Sequence, residues 1–107
     1  MKETQIQADI MNTLKDHPAI VWIARMNSGA TRLKGRHVRF GFKGCPDIHG
    51  MHVSGKPVYI EVKGADTKRR PEQELFIEKA RRFGALAGFA TSVDEALAIV
   101  KGGSLGE

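Results

Sequence analysis

The sequence predicts an α/β fold in which one mixed β-sheet is covered by helices on both faces, and three observations lead there. Helical and strand-like hydrophobic periods alternate in the order helix, three or four strands, helix, strand, helix. The 107 residues suffice for one hydrophobic core and not for two, so positions 1–107 are expected to form a single domain. With 41% apolar and 27% charged residues, the composition is that of an ordinary globular chain.

Each element follows from local pattern. Thr4-Gln5-Ile6-Gln7 has the spacing of a capping box, and Ile6, Ile10, Met11 and Leu14 recur at helical intervals, so a helix is predicted from about Thr4 to Asp16, before His17-Pro18. Ile20 to Met26 is β-branched and aromatic and reads as a strand, with Trp22 expected in the core and Asn27-Ser28-Gly29 ending it. Thr31 to Arg36 reads as a loop with Gly35 at its turn, and His37 to Phe42 as a second strand. Gly44-Cys45-Pro46 breaks the chain before an extended segment, Asp47 to Val53. Ser54-Gly55-Lys56-Pro57 is a turn into Val58 to Val62, which makes these last two strands a hairpin. Pro71 suits a helix start, and Leu75, Phe76, Ala80 and Phe83 form an apolar stripe that ends at Gly84. Leu86 to Thr91 is a short strand, and Ser92-Val93-Asp94-Glu95 caps a last helix stopped by Gly102-Gly103.

Composition excludes several function classes. No apolar run is long enough to span a bilayer, and Met1-Lys2-Glu3-Thr4-Gln5 lacks the apolar stretch of a secretory signal, so no membrane association and a cytoplasmic location are expected. The lone Cys45 forms no internal disulfide and is too little for a structural zinc site. A formal charge of +5 is unevenly spread: no acid falls between Asp16 and Asp47, an interval holding Arg25, Arg32, Lys34, Arg36, Arg39 and Lys43. Lys63, Lys68, Arg69 and Arg70 form a second basic group. Such clustering favours a polyanion by phosphate pairing and counterion release, although a solvated basic surface has the same composition.

The chemistry is concentrated in two short motifs. Residues two apart on a strand share a face, so Glu61 and Lys63 project together while Ile60 and Val62 turn to the other side. If the hairpin partner begins at Asp47, its carboxylate lies near Glu61. Two carboxylates with a backbone carbonyl such as that of Val62 supply part of an octahedral oxygen shell suited to Mg²⁺ or Mn²⁺. Lys63 then orients a water or offsets charge on a phosphoryl transition state. A lone Glu-x-Lys or Pro-Asp is common by chance, and their conjunction on strand patterns carries the reading.

Glu3-x-x-x-Gln7, Asn27-Ser28-Gly29-Ala30, Val38-Arg39-Phe40-Gly41, Gly44-x-Pro46-Asp47, Ile60-Glu61-Val62-Lys63 and Gln73 together resemble a VRR-NUC domain of the PD-(D/E)XK nuclease superfamily, from about Glu3 to Val100. The chain is most similar to the stand-alone virus-type and bacterial members. That resemblance implies a restriction-endonuclease-like core, αβββαβ with an extra C-terminal helix, and a Mg²⁺- or Mn²⁺-dependent DNA endonuclease. It further implies a homodimer acting on branched, Holliday-junction-like DNA in a bacterial or virus-infected cell. Asp47, Glu61 and Lys63 become the catalytic core, with Glu3 and Gln73 as supporting residues. The alternative for Glu3 is plain charge complementarity at a helix start, and for Gln73 an exposed residue of a first helical turn.

Other candidates carry less. Asn27, Ser28, Arg32, Lys34, Arg36, Arg39, Lys43, Lys68, Arg69 and Arg70 are expected to contact the DNA backbone. His49 and His52, three apart on a strand, face opposite sides and so are not a zinc pair, though His49 shares the face of Asp47. Cys45 has no identifiable base partner. Two competing functions share this pattern: a general or sequence-specific endonuclease, and a basic DNA-binding module that does not cut.

Overall fold

A computed structural model describes residues 2–26, 29–33, 36–40 and 42–102, with only the backbone course at 29–33 and 36–40. The elements run α1 (Glu3–Leu14), β1 (Ile20–Arg25), β2 (Gly29–Leu33), β3 (Arg36–Phe40), β4 (Ile48–His52), β5 (Pro57–Val62), α2 (Pro71–Arg82), β6 (Leu86–Ala90) and α3 (Val93–Lys101). A four-stranded sheet has the order β1-β4-β5-β6. β4 is antiparallel to both β1 and β5, and β6 returns parallel to β5 after the α2 crossover. The α/β class and the αβββαβ order with an added helix are as the sequence predicts.

One face of this sheet holds the core. Val58, Ile60 and Val62 of β5, Ile48 of β4 and Ala90 of β6 are fully buried against Ile6, Ile10 and Leu14 of α1 and Ala96 and Val100 of α3. Burial of each such aliphatic side chain contributes about 1.5–3 kcal/mol. Gly88 is required on this face, because a Cβ there would lie 2.9 Å from the Ile99 side chain of α3. The opposite face carries Tyr59 and His49, and α2 covers part of it through an edge contact between Phe76 and Tyr59 at 5.1 Å. Helices thus lie on both faces, but unequally.

Three details differ from the sequence prediction. Gly29–Leu33 is a strand and not a loop: β2 pairs antiparallel with β3, from Gly29 opposite Phe40 to Leu33 opposite Arg36, as a ribbon separate from the main sheet. The mixed Gly-Ala-Thr-Arg-Leu pattern has no alternating apolar face to reveal it. Trp22 is 48% exposed and not in the core. A bulge at Val21 shifts the register between Ile20 opposite His52 and Trp22 opposite Met51. The extra residue turns Ile23 inward and sends Trp22 and Ala24 to the face opposite the core. On α2 the stripe is displaced as well: Leu75 and Phe83 are exposed, and Ile77 is the buried residue.

The termini of α3 follow the predicted chemistry. The Ser92 hydroxyl accepts from the Glu95 amide at 3.2 Å, and the Glu95 carboxylate accepts from the amide and hydroxyl of Thr91, both at 2.6 Å. Those hydrogen bonds hold the Glu95 carboxyl below its ordinary range. Among the described residues no helix is long and apolar enough to cross a membrane.

Candidate active site

The β4–β5 hairpin brings the two acids together. Ile48 stands opposite Ile60, so continuing the register by one residue sets Asp47 opposite Glu61. Directly opposed residues hold their Cβ atoms about 4.5–5.5 Å apart. Asp47 is fixed there by its Oδ2, which accepts from the Val62 amide at 2.9 Å, while its own carbonyl accepts from the Met26 amide at 2.7 Å. β1, β4 and β5 therefore all meet at this residue.

The approach to Asp47 is a turn that needs glycine. The Cys45 amide donates to the Phe42 carbonyl at 2.9 Å, and Gly44 adopts a φ of 87°. A Cβ at Gly44 would lie 2.6 Å from the Glu72 carbonyl oxygen in the first turn of α2. The turn is thus wedged against α2, and Pro46, fully buried, carries the chain into Asp47.

Glu61 is 3% exposed and Lys63 5%, both unusual for charged residues. Burial above all, then a hydrogen bond to Asp47 and the charge of Asp47, push the Glu61 carboxyl up to about 9, against the opposing pull of the Lys63 ammonium. Among the described residues, Glu61 Oε2 is the one buried side-chain oxygen or nitrogen without a hydrogen-bond partner. No ion pair within 4.0 Å joins Lys63 to a carboxylate, and the pair Arg82–Glu78 at 3.4 Å is exposed and remote from the site. An orphaned carboxylate oxygen beside a second acid has the chemistry of a hard-cation ligand, since a buried unpaired oxygen is costly. No group of three or more His, Cys, Asp or Glu side chains converges among the described residues. Two opposed carboxylates, one with an orphaned buried oxygen, can supply part of an oxygen shell for a divalent cation.

Glu3 enters from α1. Its Oε2 accepts from the Thr67 hydroxyl at 3.2 Å, which ties the start of α1 to the loop after β5, and its charge also raises the Glu61 carboxyl. It belongs to the electrostatic neighbourhood of Glu61. Gln73 is spent differently: its Oε1 accepts from the Arg70 amide at 3.0 Å and so caps α2, which leaves its Nε2 as the remaining donor. Val62 reaches the site through its amide, on Asp47.

The basic residues separate. Lys43, Lys68, Arg69 and Arg70 are exposed. The Arg69 guanidinium lies 4.2 Å from the ring centre of Phe89, a cation–π contact that holds it against β6. Asn27, Ser28 and Lys34 lie outside the described residues. Arg32, Arg36 and Arg39 are on the ribbon strands β2 and β3.

Sequence reasoning missed one pair. Cys45 Sγ is 3.6 Å from His49 Nε2, so the thiol does have a base neighbour. Burial pushes the Cys45 thiol up and the His49 imidazole down, which keeps both neutral. The i, i+4 spacing across a Pro-containing turn was the available signal, and only the turn makes it a contact. The paired histidines behave as predicted: His49 faces Tyr59 on the acidic face, and His52 is buried, accepting at Nδ1 from the Ser54 amide at 3.0 Å.

No protein-family model matches this sequence, and no curated protein matches it. Solved structures do. One titled "VRR_NUC domain" is 20% identical, with a TM-score of 0.61 over 95% of this chain and 97% of that one. A second, titled "VRR_NUC domain protein", is 18% identical, with a TM-score of 0.56 over 95% of this chain and 87% of that one. Helix, hairpin, crossover and final strand are arranged in this chain as in the fold of those VRR_NUC domain structures.

Proposed function

We propose that the chain is a single VRR-NUC nuclease domain over positions 1–107 that hydrolyses DNA phosphodiester bonds with Mg²⁺ or Mn²⁺, acting as a homodimer on branched, Holliday-junction-like DNA. The carrying observation is the orphaned, buried Oε2 of Glu61, a residue opposite Asp47 in register, with a buried Lys63 one strand repeat away. Asp47 and Glu61 would hold the ion, with the Val62 carbonyl and a water on Glu3 completing the shell. A divalent cation there supplies charge that polarises the scissile phosphate and acidifies a water. The chain does the rest. Asp47 is kept in place by the Val62 amide, and Lys63 donates to the attacking water or to the phosphoryl oxygens as charge builds on them. The Gln73 Nε2 is left to orient a water or a carboxylate. Exposed Lys43, Lys68 and Arg70, with the basic ribbon residues Arg32, Arg36 and Arg39, are suited to bind backbone phosphates without reading sequence.

The test sets the purified protein and Lys63→Ala against four-way junction, flap and linear duplex, with Mg²⁺, Mn²⁺ or EDTA. The wild type is expected to cut the junction fastest and only with metal, and Lys63→Ala to cut about 10²–10³-fold more slowly. Linear duplex cut as readily as the junction would point to a general endonuclease. Binding without cutting by the wild type would sink the enzymatic reading.

A further inference from the structure

The site described above uses only one end of its sheet face, and the remainder has an unusual surface. On that face the rows across the strands are Asp47 and Glu61, then Ala24, His49 and Tyr59, then Trp22, Met51 and Pro57. Four residues of strand separate the first row from the third, about 13 Å. His49, Tyr59 and Phe76 form a run of edge contacts at 5.1 Å each, and Phe42, 51% exposed, tilts onto Phe76 at 5.4 Å. At the far end Ala80 and Phe83 of α2 border Pro57 of β5, and β1 lies two strands away. Trp22 stands 48% exposed there beside Met51, turned outward by the Val21 bulge.

Trp22 and Met51, paired across β1 and β4, put two exposed apolar side chains together on the face that carries the acids, and contiguous exposed apolar surface marks interaction sites. An occupant of this face reaches the buried acids, because Trp22 shares their side of the sheet and the row of His49 and Tyr59 lies between. It must also be anionic: Lys43 borders the near end beside Phe42, and Lys79 lines the groove between Tyr59 and Phe76. A second copy of this chain laid on this face would oppose like charges and close off Glu61. A ligand both anionic and flat-apolar is a nucleic-acid strand whose bases are unpaired, since paired bases offer no ring face.

We propose that Trp22 is a stacking platform for an unpaired base on the strand that runs to the cut phosphate, with Tyr59 and Phe76 as the apolar wall between. This rests on the nuclease reading and refines its substrate: strands with unpaired bases beside the scissile bond. Flaps and opened branch points present such bases, and continuous duplex does not.

Trp22 is the chain's one tryptophan, so its emission reports the platform directly. In EDTA, where nothing is cut, three probes are titrated: a short oligothymidylate, an abasic strand of equal length and a blunt duplex, with occupancy read separately by anisotropy of dye-labelled strands. The oligothymidylate is expected to quench Trp22 and to bind about tenfold more tightly than the abasic strand. Trp22→Ala should erase that preference and leave duplex affinity unchanged, while Trp22→Phe keeps most of it. Oligothymidylate bound without quenching, no binding of it at all, or an unchanged preference in Trp22→Ala would overturn the platform. So would emission that shifts with protein concentration instead of DNA, which would identify a second copy as the occupant. The two readings fail separately: cutting without quenching removes the platform and leaves the nuclease, and quenching without cutting under any metal does the reverse.

Discussion

At the residue scale, the decisive group is Glu61, whose carboxyl is held protonated by burial and by Asp47. Its folded value of about 9 lies above the ordinary 4.5, so between those limits the folded chain binds a proton that the unfolded chain releases. Stability supplied by that proton is fully present below the ordinary value and is lost as pH rises through the folded one. In metal-free protein, the denaturation midpoint is expected to fall as pH rises from about 5 toward 9. Glu61→Gln, which mimics the protonated acid, should flatten that fall while abolishing cleavage. Calorimetry should show a proton released when Mg²⁺ or Mn²⁺ binds the wild type at neutral pH. A flat pH profile for the wild type would mean that Glu61 is not protonated in the fold.

At the element scale, the Phe42–Cys45 turn decides whether Asp47 meets Glu61. Gly44 holds a positive φ and leaves no room for a Cβ against Glu72, so two independent constraints act on one position. Gly44→Ala should lower unfolding free energy by about 1–3 kcal/mol and reduce metal affinity. Gly55→Ala, at a φ of 90° with open space around it, should cost less and leave the site intact. Equal effects in denaturant titrations of the two variants would show that the wedge against α2 carries no weight. The bulge at Val21 works in the same way on the other side of the sheet, since one inserted residue converts a core tryptophan into a surface one.

At the scale of the whole molecule, the fold separates a packed body from a ribbon. Among the described residues the core cluster lies on α1, α3 and the four-stranded sheet, while β2 and β3 form their own sheet. Two-stranded ribbons are marginal alone in water, and one with Arg32, Arg36 and Arg39 is suited to binding a polyanion. Replacing positions 28–41 by a short Gly-Ser link should leave the far-UV spectrum and thermal unfolding of the body nearly unchanged. The same change should weaken DNA binding and reduce its salt dependence. Loss of cooperative unfolding would show that the ribbon belongs to the core.

Periods and caps alone determined the helices, the β4–β5 hairpin and the crossover, because those depend on neighbours within a few residues. The acids and the lysine were legible for the same reason: alternation on a single strand puts Glu61 and Lys63 on one face. Tertiary structure decided the rest. The pairing of β2 with β3, the outward turn of Trp22 and the contact of Cys45 with His49 depend on register, a bulge and a turn. A one-residue slip reverses every side chain of a strand, and no local pattern records it. The orphaned oxygen of Glu61 is the sharpest case, since whether a carboxylate lacks a partner depends on everything folded around it.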